Sequence, residues 1–248
     1  MEIFVMSKPK RKVATELTHA PARHRWTPPS ESLATREISL FGGSSFRGVL
    51  VNPRTNREIM FESKLERDAI YILMANPDVA EIREQPAAVT YVDADGVTRS
   101  HTFDFEARTH KGIRHSIAVK YEAQVETSGI GDVVRLIEAQ RPAGCGDFVH
   151  LRTERQITEV RADNARLIMR AYRFRVLSNV DQMREFVKSL NGAATIGSIL
   201  RASIPGSDGY LALLCLVAEG DLIAIGNKPL SMMTLVRQPS VQAEMEGI

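Results

Sequence analysis

Hydrophobic and polar positions alternate in two runs within one stretch of the chain, and this stretch also carries a candidate catalytic carboxylate and lysine. Residues 101–122 are predicted to form two strands joined by a polar turn at Gly112, since alternation with a period of two is typical of strands. Strand alternation places one set of side chains on a common face, namely Thr102, Asp104 and Glu106 on the first strand and Ala118, Lys120 and Glu122 on the second. If the strands pair, Asp104 and Lys120 approach each other on one sheet surface.

A helical pattern covers residues 61–75, FESKLERDAIYILMA. Glu62, Glu66, Ala69 and Leu73 follow helical spacing, so Glu66 lies on a stripe that becomes apolar one turn later. We expect this helix to pack on the sheet and to direct Glu66 toward Asp104. The alternative is that both glutamates favour the positive end of the helix dipole, which explains Glu62 better than Glu66.

Other segments complete a mixed architecture. Asp93-Ala-Asp-Gly96 predicts a hairpin turn, and the second hairpin strand is expected to run on to Asp104. Further strands are predicted at 36–41, 46–51, 79–86 and 148–151, and further helices at 129–140 and 163–172. Strands mixed with helices on their faces predict an α/β or α+β sandwich.

The pattern changes near residue 178. Helices are predicted at 181–190, 195–202 and 208–219, followed by a small hairpin, which together form a winged-helix pattern. The last helix, LALLCLVA, is too apolar to face solvent, so DNA contact here would use Lys228 and Arg237, and docking of a protein partner is equally consistent. The predicted regions are an arm (1–30), a main domain (31–177), a winged-helix-like domain (178–238) and a disordered tail (239–248).

Composition and net charge limit how the protein could bind nucleic acid. The chain has 248 residues, 44% of them hydrophobic and 25% charged, with a net charge of +2, so nucleic-acid binding would need local basic patches. The candidate DNA-binding residues are Lys8, Lys10, Arg11, Lys12, Arg25, Arg47, Arg54 and Arg57. The arm would lie along phosphates with Trp26 as a stacking group, or would be a solvated tail.

Cysteine content and hydropathy indicate the compartment. Cys145 and Cys215 lie far apart and match no zinc spacing, which predicts free thiols in a reducing environment. The sequence also lacks an apolar run of membrane-spanning length. We therefore expect a cytoplasmic protein that does not associate with a membrane.

A carboxylate and an ammonium on one sheet surface suit metal-dependent phosphodiester cleavage. Asp104 would hold Mg²⁺, while Lys120 would orient or activate the attacking water and offset developing charge. An ordinary ion pair at a strand edge explains the same two residues.

Four segments in order then point to a family: FESKLERD, EIREQP, HTFDF and IAVK, with ITEVRADNARLI further on. Over residues 36–238 the chain resembles the TnsA-type transposon endonucleases. The resemblance implies a restriction-endonuclease-like fold of the PD-(D/E)XK superfamily, with a mixed sheet flanked by helices and a winged-helix-like C-terminal domain. It places the helix glutamate at Glu66, the metal aspartate at Asp104 and the lysine at Lys120.

One position departs from the family pattern. Two residues before the lysine, the superfamily usually has Glu or Asp, and TnsA-type proteins can have Gln, but here the residue is Ala118. Asp104, the Val119 carbonyl, water and substrate phosphate could still hold Mg²⁺, with Glu66, Glu106 or Glu122 as a further ligand. The alternative is a weakened site. By strand alternation, we expect a longer side chain at position 118 to reach the metal.

The resemblance implies Mg²⁺-dependent cleavage of double-stranded DNA at the 5′ ends of a mobile element, with Mn²⁺ able to substitute. The implied partners are an integrase-type transposase subunit and an AAA+ ATPase regulator. Two alternatives stay open: a phage, repair or restriction nuclease of the same fold, and a non-catalytic DNA-binding or assembly subunit, which Ala118 favours.

Overall fold

The structure is a computed structural model that describes residues 27–35 and 46–239. In these residues the chain forms strands β1 (Gly48–Asn52), β2 (Arg57–Phe61), β3 (Val79–Glu84), β4 (Val89–Val92), β5 (Thr98–His101), β6 (Phe105–Thr109), β7 (Arg114–Val119), β8 (Phe148–Arg152), β9 (Ala193–Thr195), β10 (Ile223–Ala224) and β11 (Leu235–Arg237). The helices are α1 (Lys64–Ala75), α2 (Glu122–Ser128), α3 (Ile130–Gln140), α4 (Glu159–Arg173), α5 (Leu177–Val187), α6 (Ile196–Ala202) and α7 (Gly206–Glu219).

A mixed sheet with the strand order β3-β6-β7-β8 forms the centre of the first part of the chain. β6 is antiparallel to β3 and β7, whereas β7 and β8 are parallel. Side chains of β7 alternate between two apolar clusters. Ile117 and Val119 join the cluster that contains residues of α1, and Ala118 joins the cluster that contains Val134 and Ile137 of α3. The predicted α/β architecture, a mixed sheet between helices, is confirmed.

Local sequence signals explain where helix α1 begins and ends. Ser63 caps the helix by accepting a hydrogen bond from the Glu66 N–H at 3.1 Å, and Asn76-Pro77 follows its last residue. Buried Asp68 in this helix accepts a hydrogen bond from Arg166 of α4 at 2.6 Å, which ties the two helices together. The helix predicted at 61–75 is confirmed, starting three residues later.

The predicted hairpin forms from β4 and β5, but its second strand does not extend to Asp104. β4 and β5 pair in a separate two-stranded sheet that ends at His101, and β6 starts only at Phe105 in the central sheet. Phe103 lies in the segment that connects these two strands, β5 and β6. Its side chain is 1% exposed and packs in the apolar cluster that contains residues of α3. The regular alternation predicted through residues 102–106 is therefore wrong, because burial of Phe103 moves the chain from one sheet to the other.

Sequence reasoning missed α2. This helix has seven residues and none of them is buried, so it lacks the apolar periodicity that reveals a helix. It ends at Gly129, whose φ of 66° is the left-handed conformation that favours glycine. Glu122 is therefore the first residue of a helix, and its predicted place on the β7 strand face is wrong.

The C-terminal elements follow the predicted order of three helices and a hairpin, with an added strand, β9, that completes the sheet β10-β11-β9. The apolar helix α7 is largely buried, as predicted, and packs against α4 and α5. One apolar cluster contains Ile117 of the central sheet, Leu213 of α7 and Val236 of β11. The residues before and after position 178 thus share a core.

Several predictions fall outside the described residues. These are the basic residues of the arm (Lys8, Lys10, Arg11, Lys12 and Arg25), Trp26, the strand at 36–41 and the tail beyond residue 239. Within the described ranges, Cys145 and Cys215 are buried free cysteines. Among the helices of those ranges, none is both long enough and apolar enough to cross a bilayer.

Candidate functional site

Asp104 is fixed where three strands of the central sheet end. Its backbone N–H donates to the Ile117 carbonyl at 3.0 Å, and its own carbonyl accepts from the Gln85 N–H at 2.9 Å. Its carboxylate oxygen Oδ2 accepts a hydrogen bond from the Val119 N–H at 2.7 Å. The side chain thus caps β7 at the point where regular pairing with β6 stops.

Lys120 is the residue that follows β7. Its backbone N–H donates to the Arg152 carbonyl at 3.0 Å, so the parallel neighbour β8 holds its main chain. The Lys120 side chain is partly exposed and, with Val119, lines an open cleft of about 440 Å³. The position suits a cation that must reach a ligand in the cleft.

Glu66 lines the opposite wall of this cleft. It lies in the first turn of α1, only 9% exposed, and its Oε2 accepts a hydrogen bond from the Glu62 N–H at 2.8 Å. Burial of a carboxylate in the first helical turn is unusual for a residue that serves only the helix dipole. The structure therefore brings Glu66, Lys120 and, through Val119, Asp104 to the same end of the sheet.

The electrostatics of the site favour a bound cation. Burial and then the negative charge of Glu66 raise the pKa of Asp104 to about 7, against the lowering effects of the Val119 hydrogen bond and the Lys120 charge. Glu62 contributes a smaller rise in the same direction. Lys120 alone therefore does not compensate the carboxylates, and a proton or a metal ion would relieve their repulsion.

The donor set fits Mg²⁺ better than a metal that needs a complete protein cage. In residues 27–35 and 46–239, no group of three or more His, Cys, Asp or Glu side chains is arranged to hold a metal ion. Mg²⁺ usually takes one or two carboxylates together with water and substrate phosphate. Asp104 and Glu66 are the carboxylates that could serve, and Asp104 Oδ1 has no hydrogen-bond partner in the described part of the chain.

The two carboxylates considered as substitute ligands have other partners. Glu122 Oε1 lies 2.9 Å from Arg155 Nη2, and the Glu122 N–H donates to Glu154. Glu106 Oε2 lies 3.5 Å from Arg114 Nη1 within the sheet. Neither glutamate lines the cleft. The reason is that α2 turns Glu122 away from the strand direction, while β6 carries Glu106 past the strand end where Asp104 lies.

Ala118 lies in apolar surroundings. It is 2% exposed and belongs to the cluster that contains Phe103, Val134 and Ile137. A longer side chain would meet this cluster first, so the packing does not support the expectation that a residue at position 118 reaches a metal.

Two arginines predicted to bind DNA have internal partners. Arg57 Nη1 lies 3.3 Å from Glu84 Oε2 in a pair whose side chains are 11% and 0% exposed. Arg54 donates to the Ala218 carbonyl of α7, and its guanidinium lies 5.5 Å from the centre of the Tyr172 ring. Among the three predicted DNA-binding arginines that the structure describes, Arg47, just before β1, is the exposed one. Arg54 and Arg57 therefore stabilise the fold instead of forming an open phosphate-binding surface.

Sequence reasoning missed the outer rim of the cleft. Gln124 of α2 and Tyr121, the residue before α2, line this rim, as does Phe46, which lies just before β1. Because α2 has no apolar periodicity, no sequence signal locates Gln124. Glu62, in contrast, was identified from its spacing of four residues before Glu66. It precedes α1, and its N–H bonds to Glu66, so both residues line the cleft.

Comparison with protein-family models gave no match, and comparison with curated proteins gave no significant match. The function therefore has to be argued from the site itself.

Proposed function

We propose that the protein is a metal-dependent DNA endonuclease with a restriction-endonuclease-like catalytic domain. One observation carries the proposal: Glu66 on a packed helix and Lys120 at a strand end line one cleft, and Asp104, bonded to the cleft residue Val119, is close enough to sense both charges. Two carboxylates and a lysine in such a place supply the charges that phosphodiester hydrolysis requires.

The architecture supports the fold assignment. A four-stranded mixed sheet has the glutamate-bearing helix α1 on one face and α3 on the other, as the resemblance to TnsA-type proteins implies. The order α5, β9, α6, α7, β10 and β11 is that of a winged-helix domain.

In the proposed reaction, the residues of the site would have different roles. Asp104 and Glu66 would hold Mg²⁺ or Mn²⁺, with the Val119 carbonyl as a further ligand, and the bound metal would supply Lewis-acid stabilisation of charge on the phosphate. Asp104 would lose its proton on binding the metal, because its pKa is about 7. The Lys120 ammonium would orient the attacking water and offset developing negative charge.

The biological setting rests on the sequence resemblance. It favours cleavage at the 5′ ends of a mobile element in double-stranded DNA, alongside an integrase-type transposase subunit and an AAA+ ATPase regulator. A non-catalytic DNA-binding or assembly subunit is the second candidate, since Ala118 supplies no ligand where the family pattern has one. A phage, repair or restriction nuclease would share the catalytic chemistry.

The test is nicking of supercoiled plasmid with Mg²⁺, Mn²⁺ or chelator, both alone and with the candidate partner proteins. We expect metal-dependent nicking that falls at least about a hundredfold in Lys120→Ala, Asp104→Asn and Glu66→Gln. Lys188→Ala is the matched control, because Lys188 is an exposed lysine of the α5 C-terminus paired with Glu185. Equal nicking by all four variants would assign the activity elsewhere, and no nicking under any condition would favour the non-catalytic subunit.

A further inference from the structure

A second concavity, of about 430 Å³, opens beside the cleft on the same face of the central sheet. Ile117 of β7 and Arg152 of β8 line it from the sheet, and Leu73 of α1 and Arg161 of α4 line it from above. It adjoins the cleft because Val119, which lines the cleft, pairs with Arg152, and because the Arg152 carbonyl holds the Lys120 N–H. We call this concavity the arginine pocket.

The two arginines of the pocket lack acidic partners. Arg161 donates from Nη1 to the Gln156 carbonyl at 2.7 Å, and within residues 27–35 and 46–239 neither Arg161 nor Arg152 forms an ion pair with a carboxylate. Other arginines of this surface do form such pairs, as Arg166 does with Asp68 and Arg155 with Glu122. Burial and the positive charge of Arg161 lower the pKa of Arg152. The pocket thus concentrates uncompensated positive charge.

The remaining titratable group that lines the pocket, His150, is neutral at physiological pH. His150 Nε2 lies 3.0 Å from His115 Nδ1, and burial followed by the charge of Arg152 lowers the pKa of His150 to about 4. A neutral imidazole neither repels a cation nor attracts an anion by charge, so the arginines determine the sign of the ligand. The uncharged amide of Gln156 and the apolar Ile157 complete this part of the wall.

We propose that the arginine pocket binds a phosphate group of the DNA strand, next to the phosphate that is cleaved. Arginine presents planar pairs of donors that match phosphate oxygens, and two guanidinium groups around one concavity suit a single anionic group. The identity of the ligand as a DNA strand rests on the proposed function, whereas the preference for a phosphate follows from the pocket. Bound there, the strand would cross the end of β7 and present its next phosphate to Lys120.

The first experiment tests the pocket without DNA. Pyrophosphate binding is measured by calorimetry in metal-free buffer with chelator, for the wild type and for the Arg152→Gln and Arg161→Gln variants. Arg161 is exposed, so its variant tests the site without risk to folding. We expect pyrophosphate affinity to fall at least about tenfold in each variant, as expected for loss of a charge-assisted hydrogen bond. The control is Arg135→Gln, an exposed arginine of α3 on the opposite sheet face.

The second experiment measures DNA binding in Ca²⁺ over a range of salt concentrations. We expect Arg152→Gln and Arg161→Gln to weaken binding and to reduce the salt-dependence slope by about one phosphate contact, with Arg135→Gln unchanged. Wild-type pyrophosphate and DNA binding in both pocket variants would overturn the inference and leave the proposed nuclease intact. Pyrophosphate binding that depends on the pocket, combined with arginine-independent DNA binding, would also reject the DNA strand as its ligand. The nicking assay of the Lys120→Ala variant is a separate measurement, and it tests the proposed nuclease function but not the arginine pocket.

Discussion

Replacing Asp104 by Asn should stabilise the metal-free protein, and more so at alkaline than at acidic pH. The folded state holds the Asp104 proton more tightly than the unfolded chain does, since its pKa rises from 3.8 to about 7. The free energy of unfolding of the wild type therefore falls as the pH rises through this interval. Asparagine carries no charge, and its amide oxygen can still accept the hydrogen bond that Val119 donates to Asp104.

The size of the effect follows from the pKa. At about 1.4 kcal/mol for each pKa unit, the raised pKa of Asp104 lowers the free energy of unfolding of the wild type by about 4 kcal/mol at pH 8. At pH 5 Asp104 is protonated in the folded state but ionised in the unfolded chain, and the loss is about 2 kcal/mol. We therefore expect Asp104→Asn to exceed the wild type in unfolding free energy by up to these amounts. Titrating groups that do not interact with Asp104 are the same in both proteins and cancel in the difference.

The assay is urea denaturation of both proteins at pH 5 and pH 8 with chelator present. Asp132→Asn is the control, because the Asp132 side chain is 73% exposed on α3. We expect that control to change stability by less than about 0.5 kcal/mol at either pH. An Asp104→Asn advantage that does not widen between pH 5 and pH 8, or a variant less stable than the wild type at pH 8, would refute the electrostatic account of the site.

Three further outcomes are expected. Mg²⁺ affinity measured by calorimetry should rise about tenfold per pH unit from pH 5 to 7 and then level off, because the metal displaces the Asp104 proton; a flat profile would argue against Asp104 as a ligand. Ala118→Glu should lower the unfolding free energy by about 2 kcal/mol or more, since it buries a carboxyl group among apolar side chains, and unchanged stability with tighter Mg²⁺ binding would show that position 118 reaches the metal. Arg57→Gln should cost about 3 kcal/mol in urea denaturation because it leaves the buried Glu84 carboxylate without its counter-ion and with the Ser32 hydroxyl as its remaining donor, whereas an effect as small as that of Arg135→Gln would mean that the pair is dispensable.

Local pattern was enough to predict the elements that carry the site. Helix α1 has a Ser63 cap, an apolar stripe and a stop at Asn76-Pro77, and each of these signals acts within a few residues. The same holds for β7 and for the turn at Asp93–Gly96. Glu66 was identifiable because an acidic residue on an apolar stripe conflicts with the local pattern, and such conflicts often mark functional positions.

Residues whose role depends on distant neighbours could not be predicted in this way. Arg57 is a basic residue in a basic segment, and only the approach of β2 to the end of β3 gives it Glu84 as a partner. Asp104 was expected on a regular strand, but burial of Phe103 breaks that strand, and burial followed by the charge of Glu66 on α1 raises the pKa of Asp104. Both outcomes depend on burial and on charges brought together from separate segments.

Local sequence was sufficient to identify the central residues of the candidate site, that is, a carboxylate and a lysine at the same end of one strand pair and a glutamate on the preceding helix. Tertiary structure decided which other groups join them. It moved Glu122 onto α2, placed Ala118 in an apolar cluster, and assembled the arginine pocket from β8, α1 and α4. The physical reason is that periodicity and capping act within a few residues, whereas desolvation and charge interactions depend on which distant segments pack together.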